Sequence, residues 1–382
     1  MRIYLCPALF DWLIFLVTFA VLYSAGERNV STFRCAWLGG AFQIGYMITS
    51  LASGFIINHR NARALLLAST LCSALLSVYC IFIKAYFPLL AGFLVLSVFM
   101  SIFFNAFQMF MRNETIPGGL ARSVGVYTMA WSIGAGSGAL SAGIVYQFGP
   151  LALSTIALLV SGIMLTALLT YAPQKYRDGG REIEETVQGG RPPIPIYIII
   201  AWLMVFTSFF VQRPLHTLFP KISAESGISA SWVGMPLFFN MLTQGIVGLL
   251  MAKLPGALYR RMPLLIIQLA GAVFCGCILL RPTSLVLTFI GISLLGICSG
   301  ASCFLSVYFC SNYGNRPMNI GVNEFLVGLG GFAGLFASEW RMEATGNQYA
   351  LYQVFAVAMI ASGLIQVTLA TIGQRCHAAK TV

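Results

Sequence analysis

Twelve apolar runs, each about as long as a bilayer crossing, follow one another down the chain with only short polar breaks between them. A membrane-spanning helix needs about 20 mostly apolar residues. The runs are 5–25, 36–57, 64–83, 89–111, 124–146, 151–172, 194–212, 232–252, 264–280, 285–308, 320–340 and 350–372. The breaks carry charges, Pro, Gly or Asn, as in Asn58-His59-Arg60-Asn61, Lys84-Ala85-Tyr86-Phe87-Pro88 and Arg281-Pro282-Thr283-Ser284. No stretch is left over for a domain outside the membrane. Composition points the same way: 58% of the 382 residues are hydrophobic and 9% are charged, against about 25% charged in a soluble domain. That excludes ordinary soluble enzymes, soluble binding modules and disordered chains. The expected fold class is an all-α polytopic membrane protein with 12 transmembrane helices.

The net charge of +11 would suggest an acidic partner in a soluble protein. Here its distribution matters more. With both termini on the cytoplasmic side, 15 of the 22 Lys and Arg fall in inner segments and 7 in outer ones. A two-to-one excess fits the positive-inside rule, so a multi-pass protein of the cytoplasmic membrane is expected, with N and C termini inside. The longest polar stretch, 173–193, follows the sixth run and suits a cytoplasmic linker. It divides the chain into six-helix bundles at 1–172 and 194–382. The first run is kept as a helix of the mature protein, because Asp11 interrupts it and no small-residue cleavage site follows. The ten cysteines read as small buried hydrophobes, with Cys35 the one placed to face the outside.

The two bundles repeat one another at an offset of about 195 residues. Trp37-Leu38-Gly39 before the second helix matches Trp232-Val233-Gly234 before the eighth. Gly125-Val126, Gly134 and Gly138 in the fifth helix match Gly321-Val322, Gly330 and Gly334 in the eleventh. Six helices separate the copies, so they share one orientation. Parallel halves related by an axis along the membrane normal follow from that.

This layout resembles the major facilitator superfamily over essentially the whole chain. The family has a loop signature after its second helix, Gly-x-x-x-Asp-Arg-x-Gly-Arg-Arg. Here the loop reads Gly54-x-x-x-Asn58-His59-x-Asn61-Ala62-Arg63, keeping the glycine and the last basic residue but not the acid. Its counterpart after the eighth helix is Gly248-x-x-x-Ala252-Lys253. In the family this motif steadies one conformation, a role the resemblance extends to Gly54, Asn58, Arg63, Arg112 and Lys253. The fifth helix is similar to the family's antiporter motif, reading Gly125-x8-Gly134-x3-Gly138-Ala139-x-x-Ala142-Gly143. The resemblance implies export in exchange for protons. The residues themselves imply close helix packing at Gly125, Gly134, Gly138, Gly143, Gly321, Gly330 and Gly334.

A transporter of this type needs a few polar groups at mid-depth, and proton coupling needs an acid there. Three acids fall within helices: Asp11, Glu324 and Glu339. Asp11 and Glu324 are the coupling candidates. Glu339 is expected at the outer end beside Arg341. In the fourth helix Ser101, Asn105, Gln108 and Arg112 are spaced by 4, 3 and 4 and share one face. Weaker polar stripes are Gln43 and Tyr46 in the second helix, Tyr127 and Trp131 in the fifth, and Asn240 and Gln244 in the eighth. All are candidates to line a substrate cavity. Gln212-Arg213-Pro214-x-His216 is expected to end the seventh helix outside, as an ordinary loop or as a segment that gates or steers solute.

The three histidines, His59, His216 and His377, are too far apart to predict a metal site. No phosphate-loop lysine, nucleophile elbow or dinucleotide fingerprint is present, so no enzyme activity, cofactor or metal is expected. The sequence predicts a secondary active transporter moving a small organic solute by alternating access, proton-coupled and with export favoured. The alternatives are an uptake symporter for a sugar-like or metabolite solute, and a non-transporting sensor or scaffold. Expected partners are a small-molecule substrate, protons and the lipid bilayer, not nucleic acid. A monomer is expected.

Overall fold

The computed structural model describes residues 2–58, 60–114, 119–171, 196–254, 260–312 and 316–380. The linker 173–193 lies outside them. Twelve long α helices follow in the order of the apolar runs: α1 (Leu5–Glu27), α2 (Thr32–Ile56), α3 (Ala62–Phe82), α4 (Tyr86–Glu114), α5 (Leu120–Val145), α6 (Gly149–Thr170), α7 (Ile196–Glu225), α8 (Ala230–Met251), α9 (Arg261–Leu280), α10 (Leu285–Asn312), α11 (Arg316–Thr345) and α12 (Leu351–Lys380). Ten apolar stretches among the described residues are long enough to cross a membrane; one covers α5 and α6 together, and α2 is the helix outside this set. At 25 residues α2 is long enough, but it carries Gln43, Ser50 and Ser53 on its buried side. Large apolar residues such as Phe87, Leu280 and Val286 point outward, where acyl chains replace water.

The helix ends follow from local chemistry. Ser31 caps α2 by accepting a hydrogen bond from the Arg34 amide. The turns after α1 and α7 are built alike. Asn29 and Gly227 take positive φ, 52° and 73°, and the next amides, Val30 and Ile228, bond back to the Ala25 and Ser223 carbonyls at 2.9 Å. This is the usual left-handed helix stop.

The sequence repeat is a structural one. In the first half, α5 lays Gly134 and Gly138 on the α1 carbonyls of Ala8 and Trp12; in the second, α11 lays Gly330 and Gly334 on the α7 carbonyls of Phe206 and Phe210. A Cβ at any of the four would overlap a carbonyl oxygen. Between the halves the exchange is reciprocal. Gly125 of α5 sits against Gly248 of α8, and Gly321 of α11 against Gly54 of α2. Near the other end of these helices Gly143 meets Ala230, Gly39 meets Leu335, and Gly234 meets Ala139. Small residues let membrane helices approach closely, and here they form both the α5–α8 and the α2–α11 seams. The halves therefore touch at both ends of the bundle.

Two expectations are corrected. The seventh helix does not stop at 212: α7 continues to Glu225 through Pro214 and Pro220. Proline removes one helical hydrogen bond, which membrane helices tolerate when neighbours cover the freed group. Pro214 frees the Phe210 carbonyl, and that carbonyl is the one under Gly334. Cys35 does not face the outside; it is fully buried with Leu22 and Ala25.

Candidate functional site

A cavity of about 50 Å³ lies between the halves. Its walls are mostly apolar, with Phe15, Met100, Phe104, Trp131, Phe209 and Val307 among them. Asp11, Tyr46, Tyr127, Gln212, Arg213, His216, Ser306, Asn323 and Glu324 supply the polar groups. A mainly apolar cavity with a few convergent polar groups is the usual form of a small-molecule site.

Glu324 is eight residues past the start of α11, about 12 Å along it at 1.5 Å per residue. It is held across the interface. The Tyr46 hydroxyl of α2 donates a short hydrogen bond to Oε2. Gln108 of α4 donates to Oε1 at 2.7 Å, and the adjacent Asn323 amide donates at 3.3 Å. Every partner is a donor, the arrangement that suits a carboxylate. Two of the donors belong to the other half, so this side chain ties α11 to α2 and α4. Gln108 also lies 3.5 Å from the Tyr127 hydroxyl.

Asp11 of α1 lines the same cavity in a different setting. It is 2% exposed, and its Oδ1 has no hydrogen-bond partner. The repeat offset of 198 between α1 and α7 pairs Asp11 with Phe209 and Phe15 with Arg213. The two halves thus place unlike chemistry at equivalent positions, and the cavity is asymmetric.

The remaining predicted residues fall around this centre. Ser101 bonds Ser50 of α2 at 2.8 Å, and Asn105 turns back to the Ser101 carbonyl at 2.9 Å. The upper part of the α4 stripe therefore serves α2–α4 packing, and only Gln108 reaches the central network. The Arg112 side chain lies outside the described residues. Gln43 lines a smaller space shared with Arg213 and His216. Asn240 donates to the Ile292 carbonyl at 2.6 Å, joining α8 to α10. Gln244 accepts a short hydrogen bond from Gln212 and donates to Ser132 of α5 at 2.7 Å, so it bridges the halves.

At the end of the bundle that carries the termini, Arg63 donates to the Leu168 and Leu169 carbonyls at 3.1 and 3.0 Å. A cation at exposed C-terminal carbonyls is favourable, and this one ties α3 to α6. Asn58 organises its own loop, accepting from the Arg60 and Asn61 amides. Lys253 is exposed. At the far end Glu339 is 7% exposed and lines a space with Lys221 and Glu225, while Arg341 bonds Gln353 at 3.0 Å. Among the described residues no group of three His, Cys, Asp or Glu could hold a metal ion.

Arg213 and His216 are not among the residues the sequence places in the cavity, being expected at the outer end of the seventh helix instead. The proline between them made the segment read as a loop. The turn chemistry could have found them: Glu27 and Asn29 at the end of α1 correspond, 198 residues on, to Glu225 and Gly227, which puts the end of the seventh helix well past Arg213.

A family model described as the Major Facilitator Superfamily matches residues 3–335. No curated protein matches the sequence significantly. Among solved structures, the human organic anion transporter MFSD10 (TETRAN) superposes with a TM-score of 0.69 at 15% identity, covering 96% of this chain and 99% of that one. The transporter FucP in its outward conformation gives a TM-score of 0.61 at 15% identity, with 96% and 97% covered. At these identities the superpositions speak for the fold, and the family match speaks for kinship. The chain belongs to the Major Facilitator Superfamily, a multi-pass membrane transporter of small solutes whose two parallel six-helix halves enclose a central cavity.

Proposed function

We propose that this protein is a proton-coupled transporter of a small organic solute, in which Asp11 carries the proton and Glu324 latches the two halves. The observation that carries the reading is the contrast between the two acids in one cavity. Glu324 accepts from three donors, two of them across the interface. Asp11 has an oxygen with no partner. A buried carboxyl free of fixed donors can exchange a proton for a charge without breaking an inter-half bond. When it does so, the electrostatics of the cavity change, because an uncompensated charge there is costly. A latch that gains or loses hydrogen bonds as the halves part gives that change something to bias.

The bundles 1–172 and 194–382, joined by 173–193, are the moving bodies of this proposal. Its membrane is the cytoplasmic one, with termini inside. With Arg213 within the bundle, outer segments carry six Lys and Arg against 15 inner ones, which strengthens the positive-inside asymmetry. The glycines of α5 pack on α1 as those of α11 pack on α7, so they no longer argue for export over uptake.

A panel of small organic solutes, screened by thermal shift on the purified protein, supplies the substrate for the test. Adding it to proteoliposomes loaded with a pH indicator should move protons, and Asp11→Asn should abolish that signal while solute exchange persists. Solute flux without any proton signal in the unaltered protein would remove the coupling.

A further inference from the structure

We infer that Arg213 is the docking group for the carboxylate of a small apolar organic anion. This deepens the transport reading by naming its substrate class, and it rests on that reading.

Arg213 stands on α7 at the wall of the central cavity, where, among the described residues, no acid comes within ion-pair distance of it. Among the described residues the one salt bridge is Lys221–Glu225, at the far end of α7. Glu324 shares the cavity but is taken up by Tyr46, Gln108 and Asn323. Asp11 does not come within ion-pair distance, and the Nε of Arg213 has no hydrogen-bond partner. A guanidinium is always charged and presents a rigid planar fork of donors. One left without a partner in a membrane interior is costly, and a carboxylate is the ligand whose geometry matches it.

The surroundings hold the fork in place without satisfying it. The guanidinium carbon lies 5.1 Å from the Phe209 ring centre and 5.9 Å from that of Phe15. These cation–π contacts orient the group and leave its Nε–H without a partner. His216 sits one turn further on with neither ring nitrogen bonded, packed edge-on to Phe15 at 5.0 Å. Met100, Phe104, Trp131 and Val307 form an apolar stretch of the same wall, which Asp11, Glu324 and several uncharged polar side chains complete. The arrangement therefore offers one anion-binding end and an apolar body, which fits a monocarboxylate with an aromatic or short aliphatic tail. At about 50 Å³ the cavity as it stands is too small for such a molecule, so the ligand enters when the halves part.

The test is calorimetric titration of the full chain in detergent, at one pH and with no gradient. The probes are benzoate, 3-phenylpropionate and octanoate, each with its amide, plus 3-phenylpropylamine. At least one carboxylate should bind, and its amide at least about ten-fold more weakly, the scale of a lost charge-assisted pair. Arg213→Gln should weaken the carboxylate by a similar factor, and Arg213→Lys should recover part of it. Three results would each overturn the inference: none of the carboxylates binds, the amide or amine binds as well as the acid, or a folded Arg213→Gln protein binds the carboxylate unchanged. If Arg213→Gln does not fold, the comparison of acid, amide and amine on the unaltered protein decides. The readout does not involve proton movement. Carboxylate binding through Arg213 without coupled protons would sink the coupling alone, and coupling to a neutral solute would sink this site alone.

Discussion

Removing the Tyr46 hydroxyl should loosen the halves by an amount that can be worked out from the latch. In Tyr46→Phe the ring remains and Glu324 keeps Gln108 and Asn323, but Oε2 loses its donor from α2. A hydrogen bond to a charged group contributes about 1.5–3 kcal/mol. If the bond exists only while the halves are together, the ratio of parted to closed molecules should rise about ten- to hundred-fold. Glu324 and Tyr46 both lie nearer the end that carries the termini than the far end of their helices, so parting should occur at that end. Two exposed positions there, Arg60 and Lys253, belong to different halves. Spin labels attached to them through non-natural residues leave the native cysteines in place, and the distance distribution counts the two populations. The same measurement on Glu324→Gln and on the double variant completes a cycle. The coupling between the two substitutions should be at least about 1 kcal/mol. Distributions unchanged by Tyr46→Phe, or effects that simply add, would refute the latch.

Other consequences are more local. Gly134→Leu and Gly330→Leu each push a side chain into a backbone carbonyl that cannot yield; each should cost about 1–3 kcal/mol and lower the detergent melting temperature by similar amounts, since the sites are repeat equivalents. Gly162, with nothing within 4 Å of an added Cβ, is the control that should tolerate alanine. Arg63→Ala removes two bonds to the end of α6 and should cost about 1 kcal/mol in the same melt.

Much of this architecture was legible because a bilayer writes its constraints into composition and spacing. The helices show as apolar runs, and the repeat shows as glycines whose missing Cβ is required by a facing carbonyl. Asp11 and Glu324 stood out because acids are rare in such helices, and both line the cavity. Tyr46, Tyr127 and Trp131 lie beside them, while Asn105 and Asn240 serve neighbouring helices instead, since helical spacing tells which residues share a face but not what that face meets. Arg213 and His216 were hidden by Pro214. A proline among polar residues reads as a helix end in water, and only the packing of Gly334 over the Phe210 carbonyl shows why α7 continues. The partnering of Glu324 across the halves had no sequence signal, because it joins positions 278 and 216 residues apart.

The central claim is that Asp11 couples the proton gradient to movement of solute through this cavity. Proteoliposomes given a pH gradient and a radiolabelled substrate test it most directly, with accumulation and gradient-free exchange measured on the unaltered protein and on Asp11→Asn. The account predicts that Asp11→Asn exchanges solute but no longer concentrates it. If Asp11→Asn still concentrates the solute under the gradient, the coupling assignment is wrong.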